Sequence, residues 1–371
     1  MSASQGLRHN DDRFMAAAIR LARCNLGRTA ENPSVGALIV RDDGAGPYIV
    51  GRGVTAPGGR PHAEAQALAD AGPLARGATV YVTLEPCSHM GKALPCADAL
   101  VAAGVKRVVI AVGDPDPRVN GKGIERLRQA GIEIVEHVLT DRAKEGLSAY
   151  LCRKQLQRPE VTLKLAVSAD RCIGRKNEGN VAVSGMVSKA QSHVLRAEND
   201  AILVGIGTVM ADDPMLDCRL PGMEARSPIR IVIDSQLRLP LDCNLVKTAG
   251  RHPVWVVCDE RVPSDRMNAL KLSGCRIFPC KTGEKGIDLY SLLIQLVQAG
   301  INSLLVEGGA EIAASFWNDD LVDRLILFQS PLILGAEGYK APDFRKRMGN
   351  YRKTDAQQFG DDCCTQWKRI T

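Results

Sequence analysis

GRPHAEAQALAD, residues 60 to 71, sets a histidine and a glutamate two positions apart at the head of a run otherwise dominated by alanine and leucine. The apolar positions recur at helical spacing and predict a helix from His62 to Ala71, with the carboxylate of Glu64 in its first turn. Short β-like runs flank it at Val35 to Val40, Thr79 to Leu84, Val105 to Val112 and Ile132 to Val135. A further helix, Cys96 to Ala103, is introduced by Pro95 and stopped by Gly104, and Asp11 to Gly27 reads as an amphipathic helix. Strands separated by helices of this length predict an α/β domain with a sheet covered by helices.

Beyond Asp141 a polar helix, RAKEGLSAYLCRKQLQ, runs into Arg158 and Pro159. Proline ends a helix that reaches it, and VTLKLAV (161–167) then opens a new strand. The expected division is a first domain over 1–150 and a second over 159–371. Further strands are expected at Ala201 to Val204, Ile229 to Ile233, Pro253 to Val257, Ser303 to Val306 and Arg324 to Phe328. A helix from Tyr290 to Ala299 makes the second half α/β as well.

A chain of 371 residues with 45% hydrophobic content has room for two such cores. The opening MSASQGLRHNDDRF has no apolar stretch of signal-peptide or membrane-span length, so a cytoplasmic location is expected, with no membrane partner. In a reducing compartment the twelve cysteines are thiols or ligands. Cys152, Cys172, Cys243 and Cys258 are expected to be buried small hydrophobes, as are the adjacent Cys363 and Cys364. A net charge of +6, without a basic stripe interleaved with aromatics, does not indicate a nucleic-acid partner, and a phosphorylated small molecule fits it equally well; the expected partner is a small molecule, with no nucleic acid.

His62, Cys87 and Cys96 are the candidate metal ligands. The two cysteines of EPCSHMGKALPC each follow a proline, which reads as a helix start, where the local dipole favours a thiolate. Two thiolates and an imidazole suit zinc, and three protein ligands leave a fourth position for water, the pattern of a catalytic site. Two thiolates also cancel the formal charge of the ion, so its water needs a base. Glu64 is the candidate: it can take the proton and return it to a leaving group, help worth about 10² to 10⁴ in rate. A lone His-x-Glu usually marks a helix surface and a lone Pro-Cys a buried thiol, but the ordered combination points to metal.

With NPSVG (32–36), PHAE (61–64), TLEPCSHMGKALPC (83–96) and GDPDP (113–117) in one order, the first half resembles the deaminase domain of the bifunctional riboflavin-biosynthesis deaminase/reductases. LRAENDAILVGIGTVMADDPMLDCR (195–219), IRIVIDS (229–235) and LLVEGGAEIAASF (304–316) resemble the reductase domain of the same family. The resemblance implies a cytidine-deaminase-like three-layer N-terminal domain followed by a dihydrofolate-reductase-like one. It implies zinc and NADPH as cofactors, and two reactions on one phosphoribosylaminopyrimidine: hydrolytic loss of ammonia, then reduction of the ribosyl group to ribityl. Enzymes of this size commonly form closed assemblies, so a homo-oligomer is a prior expectation only.

The matching motifs imply roles residue by residue. Asn32, His89, Lys92, Asp114 and Asp116 would hold substrate in the deaminase half, with Lys92 suited to a phosphate. In the reductase half Asn180, Arg196, Leu216, Arg219 and Glu307 match substrate-contacting positions. Ala166, Ala182, Thr208, Asp212 and Ser235 match positions lining the dinucleotide, as do Gly309, Ala310, Glu311, Ile312, Ala313, Ala314 and Ser315. In VEGGAEIAAS a strand ends in two glycines as a helix begins, so backbone can approach a phosphate and free N–H groups favour an anion.

Some positions depart from the family. Thr55 stands where a histidine is usual, and Ala93 and Leu94 replace polar and proline residues. In the reductase half Arg171 takes a usual glycine position and would be strained if that backbone needs positive φ. Asn180 and Ala182 stand where serine and tryptophan are often found, and Asp217 replaces a threonine. These departures leave open a deaminase with a weakened or inactive reductase half. A metal-free scaffold protein and a nucleic-acid base editor are further alternatives, the last lacking any use for the second half.

Overall fold

The computed structural model describes residues 3–90, 94–175, 181–283 and 286–370, with side chains from residue 9 onward. Lys92, Ala93 and Asn180 lie outside the described residues. The chain divides into two compact units, Met1–Gln157 and Arg158–Thr371.

The first unit runs α1 (Ala3–Ala22), β1 (Gly36–Arg41), β2 (Tyr48–Val54), α2 (Ala63–Ala71), β3 (Thr79–Val82), α3 (Cys96–Ala103), β4 (Arg107–Ile110), α4 (Lys122–Gln129), β5 (Glu133–Val135) and α5 (Thr140–Leu156). Its sheet has the order β2-β1-β3-β4-β5. β1 is antiparallel to β2 and β3, while β3, β4 and β5 are parallel. α1 packs with α5, and α2, α3 and α4 pack in succession. Val80, Val82, Val108 and Ile110 fill the core between them.

The expected strands appear, β1 shifted by one residue and β3, β4 and β5 with ends trimmed, but β2 was not expected. Its sequence, YIVGRGV, has two glycines, which weaken a strand reading. The reason is packing. A Cβ at Gly53 would lie 2.0 Å from the Ala63 carbonyl oxygen, and one at Gly51 2.3 Å from that of Ala67. α2 therefore rests directly on bare backbone, which seats the helix whose first turn carries Glu64. α4 was also missed, because its strongly charged KGIERLRQ shows only Ile124 and Leu127 as large inward residues.

The second unit runs β6 (Glu160–Val167), β7 (Cys172–Arg175), α6 (Met186–Ala197), β8 (Ala201–Gly205), α7 (Ile206–Asp212), β9 (Ile229–Ile233), α8 (Asn244–Lys247), β10 (Val254–Asp259), α9 (Ser264–Leu272) and β11 (Arg276–Cys280). It continues with β12 (Thr282–Gly283), β13 (Gly286–Ile287), α10 (Leu289–Gln298), β14 (Ser303–Val306), α11 (Ala310–Asn318), β15 (Arg324–Gln329), β16 (Gly338–Lys340), β17 (Tyr351–Phe359) and β18 (Asp362–Arg369). Nine strands form one sheet in the order β11-β10-β9-β8-β14-β6-β15-β18-β17. It is parallel from β11 to β15, and the last two strands add on antiparallel.

Alternation along β8 feeds two cores, one on each face: Leu203 enters one, and Ile202 and Val204 the other. The same alternation corrects the reading of the terminal cysteines. On β18 Cys364 is buried and Cys363 is exposed, since neighbours on a strand face opposite ways. Cys152, expected in the core, is only half-buried on α5, whereas Cys172, Cys243 and Cys258 are buried.

Candidate functional site

In the first unit three side chains converge. His62 is the N-cap of α2, held extended at φ −70° and ψ 163°, so its ring projects beside the helix start. Pro95 caps α3 and makes Cys96 the first helical residue. Cys87, expected like Cys96 at a helix start, lies instead on the loop after β3, where it accepts the Cys96 backbone N–H at 3.3 Å. The ligand atoms of His62, Cys87 and Cys96 all lie within 4.8 Å of one another. His62 Nδ1 is 3.6 Å from Cys87 Sγ and 3.4 Å from Cys96 Sγ. A tetrahedral zinc with bonds of about 2.0 Å to nitrogen and about 2.3 Å to sulfur sets such atoms about 3.5 Å apart, so the donor set fits that ion.

The electrostatics fit a cation as well. The Cys87 thiol is pushed down to about 4, first by its hydrogen bond with Cys96 and then, against burial, by His62. Cys96 is pushed up, first by its bond to Cys87 and then by burial, and a bound metal would displace the protons of its thiol ligands. Glu64 is 4% exposed. Burial first, and then the Cys87 charge, push its carboxyl up to about 7.

A cavity of about 250 Å³ opens at this centre. Of the sequence-derived substrate residues, Asn32, His89, Asp114 and Asp116 line it. Thr55 is there too, but its hydroxyl is committed to the Val35 N–H at 3.0 Å. Asp114 accepts the Tyr150 hydroxyl at 2.9 Å, and burial raises its pKa. Asp116 is gripped by Arg118 Nη2 and Lys154 Nζ, each at 2.7 Å, the Arg118 bond coming first among the causes that pull its pKa down.

The sequence reading missed Tyr150, Arg118 and Lys154. Tyr150 and Lys154 are four apart on α5, hence on one face, a spacing visible in the sequence without anything to say what it faces. Glu85 was missed too. Its carboxylate accepts the backbone N–H groups of Asp114, Gly121, Gly123 and Ile124 at 3.0–3.3 Å, tying the Cys87 loop to the loop that carries Asp114 and Asp116.

In the second unit Arg196 of α6 holds Glu307, at the end of β14, by Nε–Oε1 at 3.1 Å and Nη2–Oε2 at 2.8 Å. Its Nη1 donates to the Asp217 carbonyl at 3.2 Å, which brings the loop of Leu216 and Asp217 into the cluster. Leu216 itself is 4% exposed and packs into the core. Arg219 is largely exposed, its Nε 3.3 Å from Asp217 Oδ1 without the alignment of a hydrogen bond. Lys164 was not anticipated, although a lysine in the apolar strand VTLKLAV is a signal. Its Nζ lies 3.8 Å from Glu307 Oε2 and burial lowers its pKa. Burial pushes Glu307 up, but Arg196 and Lys164 outweigh it and hold the carboxyl at about 2.

The helix starts of α7 and α11 meet beside this cluster. Thr208 Oγ1 lies 3.7 Å from where a Gly309 Cβ would stand, and a Cβ at Gly205 would come within 2.8 Å of Ile312. Gly309 caps α11 with no side-chain bond, leaving the N–H groups of Ala310, Glu311 and Ile312 for an anion. Gly308 has a different task, since Ile312 fills the space its Cβ would need. Within the segment Ala313 is wholly buried in the core, whereas Gly309, Ala310, Ile312, Ala314 and Ser315 are part-exposed and Glu311 is exposed. Asp212 ends α7, and burial raises its pKa. Ser235 follows β9, Ala166 pairs with Phe328 in the sheet, and Ala182 is exposed. Arg171 adopts φ +60° in the turn between β6 and β7.

Residues 8–112 match the family model of the cytidine and deoxycytidylate deaminase zinc-binding region, and residues 159–365 that of the RibD C-terminal domain. The riboflavin biosynthesis protein RibD of Aquifex aeolicus is 36% identical over 98% of this chain and 99% of its own. The RibD of Escherichia coli is 38% identical over 94% of each chain. A solved structure of Acinetobacter baumannii RibD superposes with a TM-score of 0.85 at 32% identity, covering 98% of this chain and 99% of that one. The Thermotoga maritima diaminohydroxyphosphoribosylaminopyrimidine deaminase/5-amino-6-(5-phosphoribosylamino)uracil reductase gives 0.83 at 30% identity, covering 98% and 99%.

Proposed function

Because the chain belongs to the RibD family of bifunctional riboflavin-biosynthesis deaminase/reductases, we propose how its own residues divide the two reactions. The deaminase half takes water and 2,5-diamino-6-(5-phosphoribosylamino)pyrimidin-4-one, releases ammonia and leaves a ring carbonyl. His62, Cys87 and Cys96 would hold zinc, which when bound would supply the acidification of a water. Glu64 takes a proton from that water onto its carboxylate and returns it to the departing amine. A carboxyl raised towards neutrality by burial is matched to this two-way task. Asn32 and Asp114 read the pyrimidine edge, the latter oriented by the Tyr150 hydroxyl.

The reductase half delivers hydride to the ribosyl carbon and opens the sugar. Thr208, Asp212 and the Gly309–Ser315 turn would hold NADPH, which would supply the hydride, and the uncapped start of α11 suits its phosphates. Opening the sugar requires a proton on the ring oxygen. Lys164 Nζ, its proton loosened by burial, can supply it while Arg196 and Glu307 hold the substrate. The intact Arg196–Glu307–Lys164 cluster favours a working reductase over a retired one.

The observation that carries the proposal is the closure of His62, Cys87 and Cys96 around one point, with buried Glu64 at its side. The test is a coupled assay on purified chain of measured zinc content, following ammonia release and NADPH oxidation separately. NADPH consumption that trails or matches ammonia release is expected. Oxidation of NADPH on the aminopyrimidine without ammonia would reverse the order of steps, and no ammonia from a zinc-loaded chain would reject the deaminase assignment.

A further inference from the structure

The lining of the cavity in the first unit includes the cations Arg118 and Lys154 beside Asp116. Asp116 is 3% exposed and its carboxylate is saturated: Oδ1 accepts Arg118 Nε at 2.9 Å and the Arg118 backbone N–H at 3.0 Å, and Oδ2 accepts Arg118 Nη2 and Lys154 Nζ at 2.7 Å each. A carboxylate so occupied has no lone pair left to read a pyrimidine. It serves instead to hold two cations at the cavity wall. The trio carries a net charge of +1, and both cations keep donors in reserve. Among the described residues only one of the three Lys154 ammonium hydrogens has an assigned acceptor, and Arg118 Nη1 has none. Lys154 is braced further, its Nζ lying 5.5 Å over the ring of Tyr150. That tyrosine binds Asp114, so one helix face ties the ring-reading residue to the cations.

We propose that Lys154 and Arg118 form the subsite for the 5-phosphate of the deaminase substrate, with Asp116 as the residue that positions them. This rests on the deaminase reading given above. A dianionic phosphate meets two charge-assisted donors there, and Asp116 keeps the pair from repelling one another while the site is empty of substrate. A binding role of this kind acts on the remote end of the substrate, far from the bond that breaks, and so falls mainly on KM.

The test compares ammonia release from the phosphorylated aminopyrimidine and from its dephosphorylated counterpart, using zinc-loaded full-length chain. For Lys154→Met and for Arg118→Met, the preference in kcat/KM for the phosphorylated compound should fall by about tenfold or more, chiefly through KM. A second variant separates a phosphate contact from a mere mask over Asp116: Lys154→Met combined with Asp116→Asn removes the cation together with the charge it neutralises. The preference should stay lost in that pair. Its full recovery, or an unchanged preference in both single variants, overturns the proposal. Absence of ammonia from the unaltered chain with either compound would instead strike the deaminase reading itself.

Discussion

The guanidinium of Arg196 and the carboxylate of Glu307 face each other fork to fork, with two bonds of 3.1 and 2.8 Å, although 111 residues separate them in the chain. The pair is largely withdrawn from water, with side-chain exposures of 14% and 9%. Such a pair resists removal of one partner far more than replacement of both, because the survivor is left as a buried charge.

A dependence on acid follows. Glu307 is held at about 2 against an ordinary value of 4.5. A depressed carboxyl adds stability that is whole above the unfolded value and is lost as pH falls from about 4.5 towards 2. Glu307→Gln should therefore lower the urea midpoint of the second unit at pH 6 and lower it progressively less as the buffer approaches pH 3. An equal deficit at both pH values would contradict the assignment. The same variant should impair NADPH oxidation on supplied deaminated intermediate and spare ammonia release.

Glu64→Ala removes the proposed proton carrier and leaves the three candidate ligands. Ammonia release should drop by about 10² to 10⁴ with zinc content unchanged, and reduction of supplied intermediate should continue. Loss of zinc along with activity would show that Glu64 instead holds the ligands in place.

Gly53→Ala tests the seating of α2. The added Cβ would press on the Ala63 carbonyl and the Ala67 N–H at 2.0 and 2.6 Å, both helix backbone. Overpacking of this kind costs about 1–3 kcal/mol, and here it displaces the turn that bears His62 and Glu64. Zinc affinity and deamination should both suffer. A variant with native melting temperature and full zinc occupancy would refute the close approach.

Arg171→Gly tests backbone strain. A residue with a Cβ at φ +60° is disfavoured by about 1–2 kcal/mol, and glycine forfeits about 0.5–1 kcal/mol of that by its freer unfolded chain. A net gain near 0.5 kcal/mol is expected in a denaturant titration. A loss would reveal that the arginine side chain makes a stabilising contact.

Legibility in the sequence followed the range of the interaction. The helix at Cys96 to Ala103 was readable to the residue, since a proline before it and a glycine after it act within one turn. β2 was illegible because its glycines answer to a helix that follows in the chain, not to strand propensity. Lys164 was legible only as an oddity, a charge in an apolar strand, until Glu307 arrived 3.8 Å away.

By itself the sequence determined the α/β class and the order of the three candidate metal ligands, and at Cys96 the preceding proline sets the helix start that packing then keeps. Only the tertiary structure decided which charges meet. Lys154 reaches Asp116 across 38 residues of chain, and Arg196 reaches Glu307 across 111. Such partners are chosen by register, helix face and burial, and these exist only once the chain has closed on itself.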